Sequence, residues 1–348
     1  MNKERLDRFK DLLSVPSKSE QEHFMVSHIT DVLDEMIHLG LQVDYYVDEI
    51  SNIYVTKGVS DLYPCYISHT DTVHQITNIN VKQGVSKKPP TFGKNFGDDV
   101  FDILYGLDDN GELTGIGGDD KCGIFICLEM VRNLERCKAA FFVSEEIGCI
   151  GSNGADLEFF NDVSFICEYD APGDHLISEI SSGVRLYESN GDFINDLKPE
   201  IESAFGNPLI EQSHPFTDVM VLSSKLPICC INISCGYYNM HSEREFVGID
   251  DVERAIQSGL NISKYGYDEK YYFEESSPTY VNDSSDDYYE SEKTTWLSDD
   301  LVVFDEDNMG IVIEQYESRH HVSLTEREMK KLYTLLKEKY EGAQLNLF

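Results

Sequence analysis

Two rhythms of apolar positions run along the chain. In residues 20–39, Phe24, Ile29, Val32, Leu33, Met36 and Ile37 recur at helical spacing, and residues 3–13 repeat the pattern. Between them, "SVPSKSEQE" supplies turn residues and a Ser-x-x-Glu helix start. Short apolar runs then take over: "LQVDYYV", "NIYVTKG", "YPCYIS", "AAFFVS", "VSFICEYD" and "ICCINIS". Helical stretches intervene, notably "CGIFICLEMVRNLERC", "INDLKPEIESAF" and residues 249–263. Strands alternating with helices predict an α/β domain with a largely parallel central sheet, ending near residue 264.

Three segments break the rhythm. Residues 74–113 read as an inserted loop plus a hairpin, because Asp-Asn-Gly in "LYGLDDNGELTG" is a strong turn signal. Residues 265–295 read as an acidic linker or strap, rich in Ser and Tyr. Residues 296–348 read as a small module: a hairpin over "DLVVFDEDNMGIVIEQY", then an amphipathic helix capped by Thr325 with Glu328 three residues on.

Composition narrows the function. The formal charge of -36, from 64 acids against 28 Lys plus Arg, repels phosphate backbones, so no direct nucleic-acid binding is expected. The nine cysteines sit mostly among strand-like apolar residues with no C-x-x-C pair, as buried free thiols of a reducing compartment would. The first residues lack an apolar signal core, and no stretch approaches the roughly 20 apolar residues of a membrane span. A cytoplasmic protein without membrane association is the expectation.

The chemistry gathers at strand ends, where sites of open α/β sheets form. "YPCYIS" runs into His69-Thr70-Asp71, "AAFFVS" into Glu145-Glu146, "VSFICEY" into Asp170, and "ICCINISCGYYNM" into His241. Asp119-Asp120 sit in a glycine turn that opens a helix. Histidines and carboxylates without thiolates suit zinc, with manganese or cobalt as substitutes. Two histidines and three carboxylates can serve two ions if one carboxylate bridges, leaving one acid free to take a proton from water.

In this order, "SHTDTVH", "GGDDKCGI", "SEEIGCIGS", "EYDAPG" and "GYYNMHSEREFV" resemble the co-catalytic di-zinc exopeptidases. That family includes tripeptidase T, carboxypeptidase G and the single-domain zinc aminopeptidases, and the likeness covers roughly residues 4–264. It implies a three-layer sandwich, helices on both faces of a mixed, largely parallel sheet, and two Zn2+ ions. By motif, His69 would ligate the first metal and Asp71 would orient its imidazole. Asp119 would bridge both ions, with a cis peptide after it. Glu145 would be the general base, Glu146 and His241 ligands of the second metal, and Asp170 a ligand of the first, with Glu168 two residues away as the alternative.

Only 71 residues separate Asp170 from His241, too few for the lid domain of many relatives. The chain is therefore expected to be lidless, with His214 or Asp218 of "SHPFTDVM" facing the substrate and the 74–113 insertion walling the site. The implied activity is cleavage of small peptides from one end, amino- or tripeptidase-like. A related N-acyl amino acid amidohydrolase and a peptidase-fold adaptor are the alternatives. The terminal "QLNLF" resembles the peptide by which bacterial proteins dock on the DNA sliding clamp, with Gln344, Leu345, Leu347 and Phe348 as its anchors.

Overall fold

Four apolar runs are strands buried at every position: Cys137–Phe142, Tyr63–His69, Val163–Ala171 and Cys230–Ser234. Burial on both faces is why their sequences lack polar alternation. In the computed structural model, which describes residues 1–75, 78–87, 100–213, 217–273, 294–296, 301–306, 310–315 and 320–324, they lie side by side and parallel. Ile53–Lys57 and Val43–Val47 add antiparallel strands at one edge. Leu176–Ser178 runs antiparallel to Cys230–Ser234 at the other, followed by Ile210–Glu211, giving a mixed eight-stranded sheet.

Helices cover both faces. Successive strand side chains point to opposite sides. Tyr169 lies 2.8 Å from Ser258 of the helix Ile249–Ile262, while its neighbour Glu168 accepts a bond from the backbone of Val219 in the helix Asp218–Lys225. The helix Gly118–Asn133 is buried from Gly118 to Val131, between the sheet and the helices Lys3–Leu13 and Ile249–Ile262. Its all-round burial explains why "CGIFICLEMV" shows no polar face. All nine cysteines are buried and free.

The described residues of the 74–113 segment lie mostly in strands. Asn80–Lys87 pairs with Val100–Leu107 from Asn80↔Leu107 to Lys87↔Val100, and Leu113–Thr114 returns on Val100–Leu107 through the turn at Asp108. The first strand is largely exposed and rich in polar residues, so no apolar pattern announces it. This sheet continues through Phe246–Gly248 to Tyr237–Tyr238. Here the structure corrects the reading of "ICCINISCGYYNM" as one strand running into His241. The strand stops at Ser234, and the chain turns at Gly236, with φ of +97°, into the second sheet. A side chain at Gly236 would meet the backbone nitrogen of Val252 at 2.9 Å, so glycine is required there.

The start of the acidic stretch is strapped to the core. Tyr271 donates its N–H to Ser164, accepts from the N–H of Cys229, and is buried. The chain divides into two compact units, Met1–Glu275 and Ser276–Phe348. The second contains an antiparallel sheet of Thr294–Trp296, Leu301–Glu306, Gly310–Gln315 and His320–Leu324, in which the expected hairpin pairs Leu301↔Gln315 to Glu306↔Gly310. The expected C-terminal helix and the "QLNLF" tail lie outside the described residues. Among the described residues, no helix is long and apolar enough to cross a membrane.

Candidate metal centre

The carboxyl ends of the parallel strands converge on one cluster. His69 ends its strand, Glu145 and Glu146 follow Phe142, and Asp170 lies near the end of Val163–Ala171. His241 comes from the loop joining the strands Tyr237–Tyr238 and Phe246–Gly248, with φ of +59°. Asp119 and Asp120 open the helix Gly118–Asn133 and are joined by a cis peptide bond. The turn needs its glycines. Gly117 has φ of +70°, and a Cβ on Gly118 would lie 2.8 Å from side-chain atoms of Tyr237 and Val247.

Asp119 stands at the centre. Its Oδ1 is 3.1 Å from Nε2 of His69, and its Oδ2 is 3.2 Å from Nε2 of His241. On the first side, Asp170 Oδ1 is 3.7 Å from the same nitrogen of His69. On the second, Glu146 Oε2 is 3.1 Å from Nε2 of His241. One carboxylate thus faces two imidazoles, and each imidazole has an acid of its own. Glu145 stands beside the first set, with Oε2 3.9 Å from Nε2 of His69 and Oε1 3.6 Å from the Cys149 thiol, but belongs to neither group of convergent ligand atoms.

Asp71 holds the doublet as well as the imidazole. Its Oδ1 lies 3.3 Å from Nδ1 of His69 and accepts the N–H of Glu145 at 2.8 Å. Its Oδ2 accepts from the Ser19 hydroxyl at 2.7 Å and from the N–H of Glu146 at 3.3 Å. Just upstream, Glu22 Oε1 accepts both the N–H and the hydroxyl of Ser144, which has φ of +56°. The carboxylates therefore leave the strand on a backbone pinned at three successive residues.

So many buried acids repel one another. Burial drives Glu145 well above the usual carboxylate range, and burial with the charge of Asp119 brings Asp170 up to about 8. Burial also raises Glu146. His241 is pushed up to about 10 by its bonds to Asp119 and Glu146. Burial works against charge on His69, but its bonds to Asp119, Asp170 and Asp71 outweigh that and raise it well above its ordinary value. The raised carboxylates share one cause, the crowding of buried acids, which bound cations would relieve. The donor set fits such cations: nitrogen and oxygen atoms only, with Glu146 Oε1 and Asp120 Oδ2 buried and without a hydrogen-bond partner among the described residues. His69, Asp119 and Glu146 bring ligand atoms within 4.8 Å of one another, and so do His69, Asp120 and Asp170.

Sequence reasoning gave Asp120 no role beyond the cis peptide. It comes near the first set, although its Oδ1 already accepts the N–H of Gly123 at 2.9 Å. Of the two acids left open on that strand, Asp170 reaches His69, whereas Glu168 turns to the N–H of Val219 at 3.1 Å. Asp218 is fully buried, with Oδ1 accepting the Ser152 hydroxyl at 2.5 Å, and its charge is felt by Glu145. His214 lies outside the described residues. The roles of Ser19 and Glu22 had no signal beyond their place in "SVPSKSEQE", because their partners lie 52 and 122 residues away. Between Asp170 and His241 the described residues form strands of the main sheet, two helices, the small hairpin Ile180–Arg185 and the strand Tyr237–Tyr238 of the second sheet, with no lid domain among them.

No family model and no curated protein matches the chain. Solved structures do. The aminopeptidase PepT of Bacillus cereus aligns with a TM-score of 0.59 at 14% identity, over 76% of this chain and 98% of that one. A tripeptidase of Staphylococcus aureus aligns with a TM-score of 0.56 at 15% identity, over 76% and 98%. An aminopeptidase of the archaeon Desulfurococcus kamchatkensis gives 0.54 at 14% identity, over 76% and 95%. The chain therefore has the fold of the di-metal exopeptidases, with a buried His/Asp/Glu cluster at the carboxyl ends of its parallel strands.

Proposed function

We propose that this protein is a di-metal hydrolase that cleaves amide bonds of small peptides from one end, in the manner of an aminopeptidase or tripeptidase. The observation that carries the reading is the division of Asp119, one oxygen toward His69 with Asp170 beside it and the other toward His241 with Glu146 beside it. His69, Asp119 and Asp170 would hold one divalent ion, and His241, Asp119 and Glu146 a second. When bound, divalent ions of the zinc type polarise a carbonyl and make a water molecule more acidic.

The chain's own residues supply the rest. Glu145 is the acid left out of both sets, so it takes the proton from water and returns it to the leaving nitrogen. Asp71 fixes where that carboxylate starts, through the N–H of Glu145. The test is metal analysis of purified protein, followed by assays on di- and tripeptides with free or blocked ends and on N-acyl amino acids. Cleavage of free-amine peptides with about two ions per chain is expected. Cleavage of N-acyl amino acids alone would make it a deacylase, and a metal-loaded protein inert on the whole panel would overturn the hydrolase reading.

A further inference from the structure

One buried carboxylate outside both ligand sets touches the turns that carry them. Glu245 follows His241 by four residues and is buried, with its own N–H bonded to the carbonyl of Ser242. Its Oε1 accepts the N–H of Asp119 at 3.0 Å, and its Oε2 accepts the N–H of Gly117 at 2.7 Å. Nε2 of His74, three residues beyond Asp71, lies 2.8 Å from the same Oε2. The His74 ring in turn occupies the space over Gly115, where a Cβ would come within 1.9 Å of it.

Resting on the di-metal reading above, we propose that Glu245 is a positioning residue for the second metal, a staple that joins the His241 loop to the Asp119 turn. The physical argument is one of geometry. The two N–H groups flanking the glycine turn would otherwise be buried donors without partners, and a carboxylate with two oxygens satisfies both at once. The second site takes Asp119 and His241, both on segments tied by Glu245, and only Glu146 comes from elsewhere. The first site shares Asp119 but takes His69 and Asp170 from strands of the main sheet. Loss of the staple therefore acts unequally on the two ions.

The test is stepwise titration of metal-free wild type and Glu245→Gln with Zn2+ against a chromogenic chelator, with Co2+ spectra as a second readout. Glutamine keeps the shape, but its amide N–H must face one of the donors that the carboxylate satisfies. Expected is a selective fall of about 10–100-fold in affinity for one of the two ions, the range for loss of a group that orients a ligand. The other ion should change less, and one component of the Co2+ spectrum should weaken selectively. Wild-type affinity for both ions in the variant, or equal loss of both with a lowered melting point of the metal-free protein, overturns the staple. If Glu245→Gln does not fold, His74→Ala, which leaves both backbone bonds intact, should weaken the same ion by a smaller factor. An unchanged titration there also overturns the proposal. Wild type that binds no ions at all defeats the di-metal reading itself, a result distinct from failure of the staple.

Discussion

Replacing Asp71 by Asn removes the charge at the point where the imidazole and the acid doublet are both held. An asparagine in the same rotamer keeps one oxygen for the N–H of Glu145, now as a neutral acceptor of about half the strength. Its Nδ2 replaces the oxygen that accepts from Ser19 and Glu146. The serine hydroxyl can rotate and accept instead, but the N–H of Glu146 is left facing another donor. An unsatisfied donor costs about 1–3 kcal/mol, and with the weakened bond to Glu145 the loss comes to about 2–4 kcal/mol. That is a large share of the ~5–15 kcal/mol typical of a folded domain.

Urea denaturation of metal-free wild type and Asp71→Asn at pH 7 measures it. The hydrogen bonds from His69, Ser19 and Glu145 outweigh burial and hold Asp71 below its ordinary value. Its stabilising contribution is therefore present at neutral pH and lost as the pH falls through that lowered value, so the two proteins should converge in acid. Metal affinity should fall by about 10–100-fold in parallel, since the imidazole of His69 loses its charged partner. Midpoints within about 0.5 kcal/mol of each other at pH 7, with unchanged metal affinity, would refute the reasoning, because surface substitutions usually do no more than that.

Three further outcomes follow from the same geometry. Glu145→Gln should keep both ions by metal analysis but lose about 10²–10⁴-fold in kcat, the usual worth of a general base, and activity within tenfold of wild type would remove Glu145 from that role. Burial brings Asp218 up to about 7, so the folded chain keeps a proton that the unfolded chain releases near pH 4. Stability of the metal-free protein should then fall by a few kcal/mol as the pH rises from about 4 to 7. Asp218→Asn should flatten that slope in urea titrations at several pH values, and coincident slopes would contradict it. We propose that the terminal "QLNLF" docks in the hydrophobic groove of a bacterial sliding clamp. Deleting residues 344–348 should abolish binding to purified clamp, and equal affinity with and without them would end the idea.

Local pattern was enough for six strands of the main sheet, above all the parallel ones, because strands buried on both faces leave apolar runs that few other structures need, but not for the short strands Leu176–Ser178 and Ile210–Glu211. It was enough, too, for the helices at 3–13, 192–205 and 249–262, whose buried faces repeat at helical spacing. The acids and histidines at the strand ends were legible for a related reason: an apolar run that stops at Glu145-Glu146 or His69 stands out against its own neighbours. The exposed strand Asn80–Lys87 left no such trace, since nothing buries its polar residues. Tertiary structure alone decided which residues meet across long separations. That Asp119 divides its oxygens between His69 and His241, and that Asp71 grips Glu145 across 74 residues, depends on how strands and turns stack. Ser19, Glu22 and Glu245 acquire their tasks the same way. A polar residue in a loop has no pattern of its own, and its role is set by whichever unsatisfied N–H the fold brings beside it.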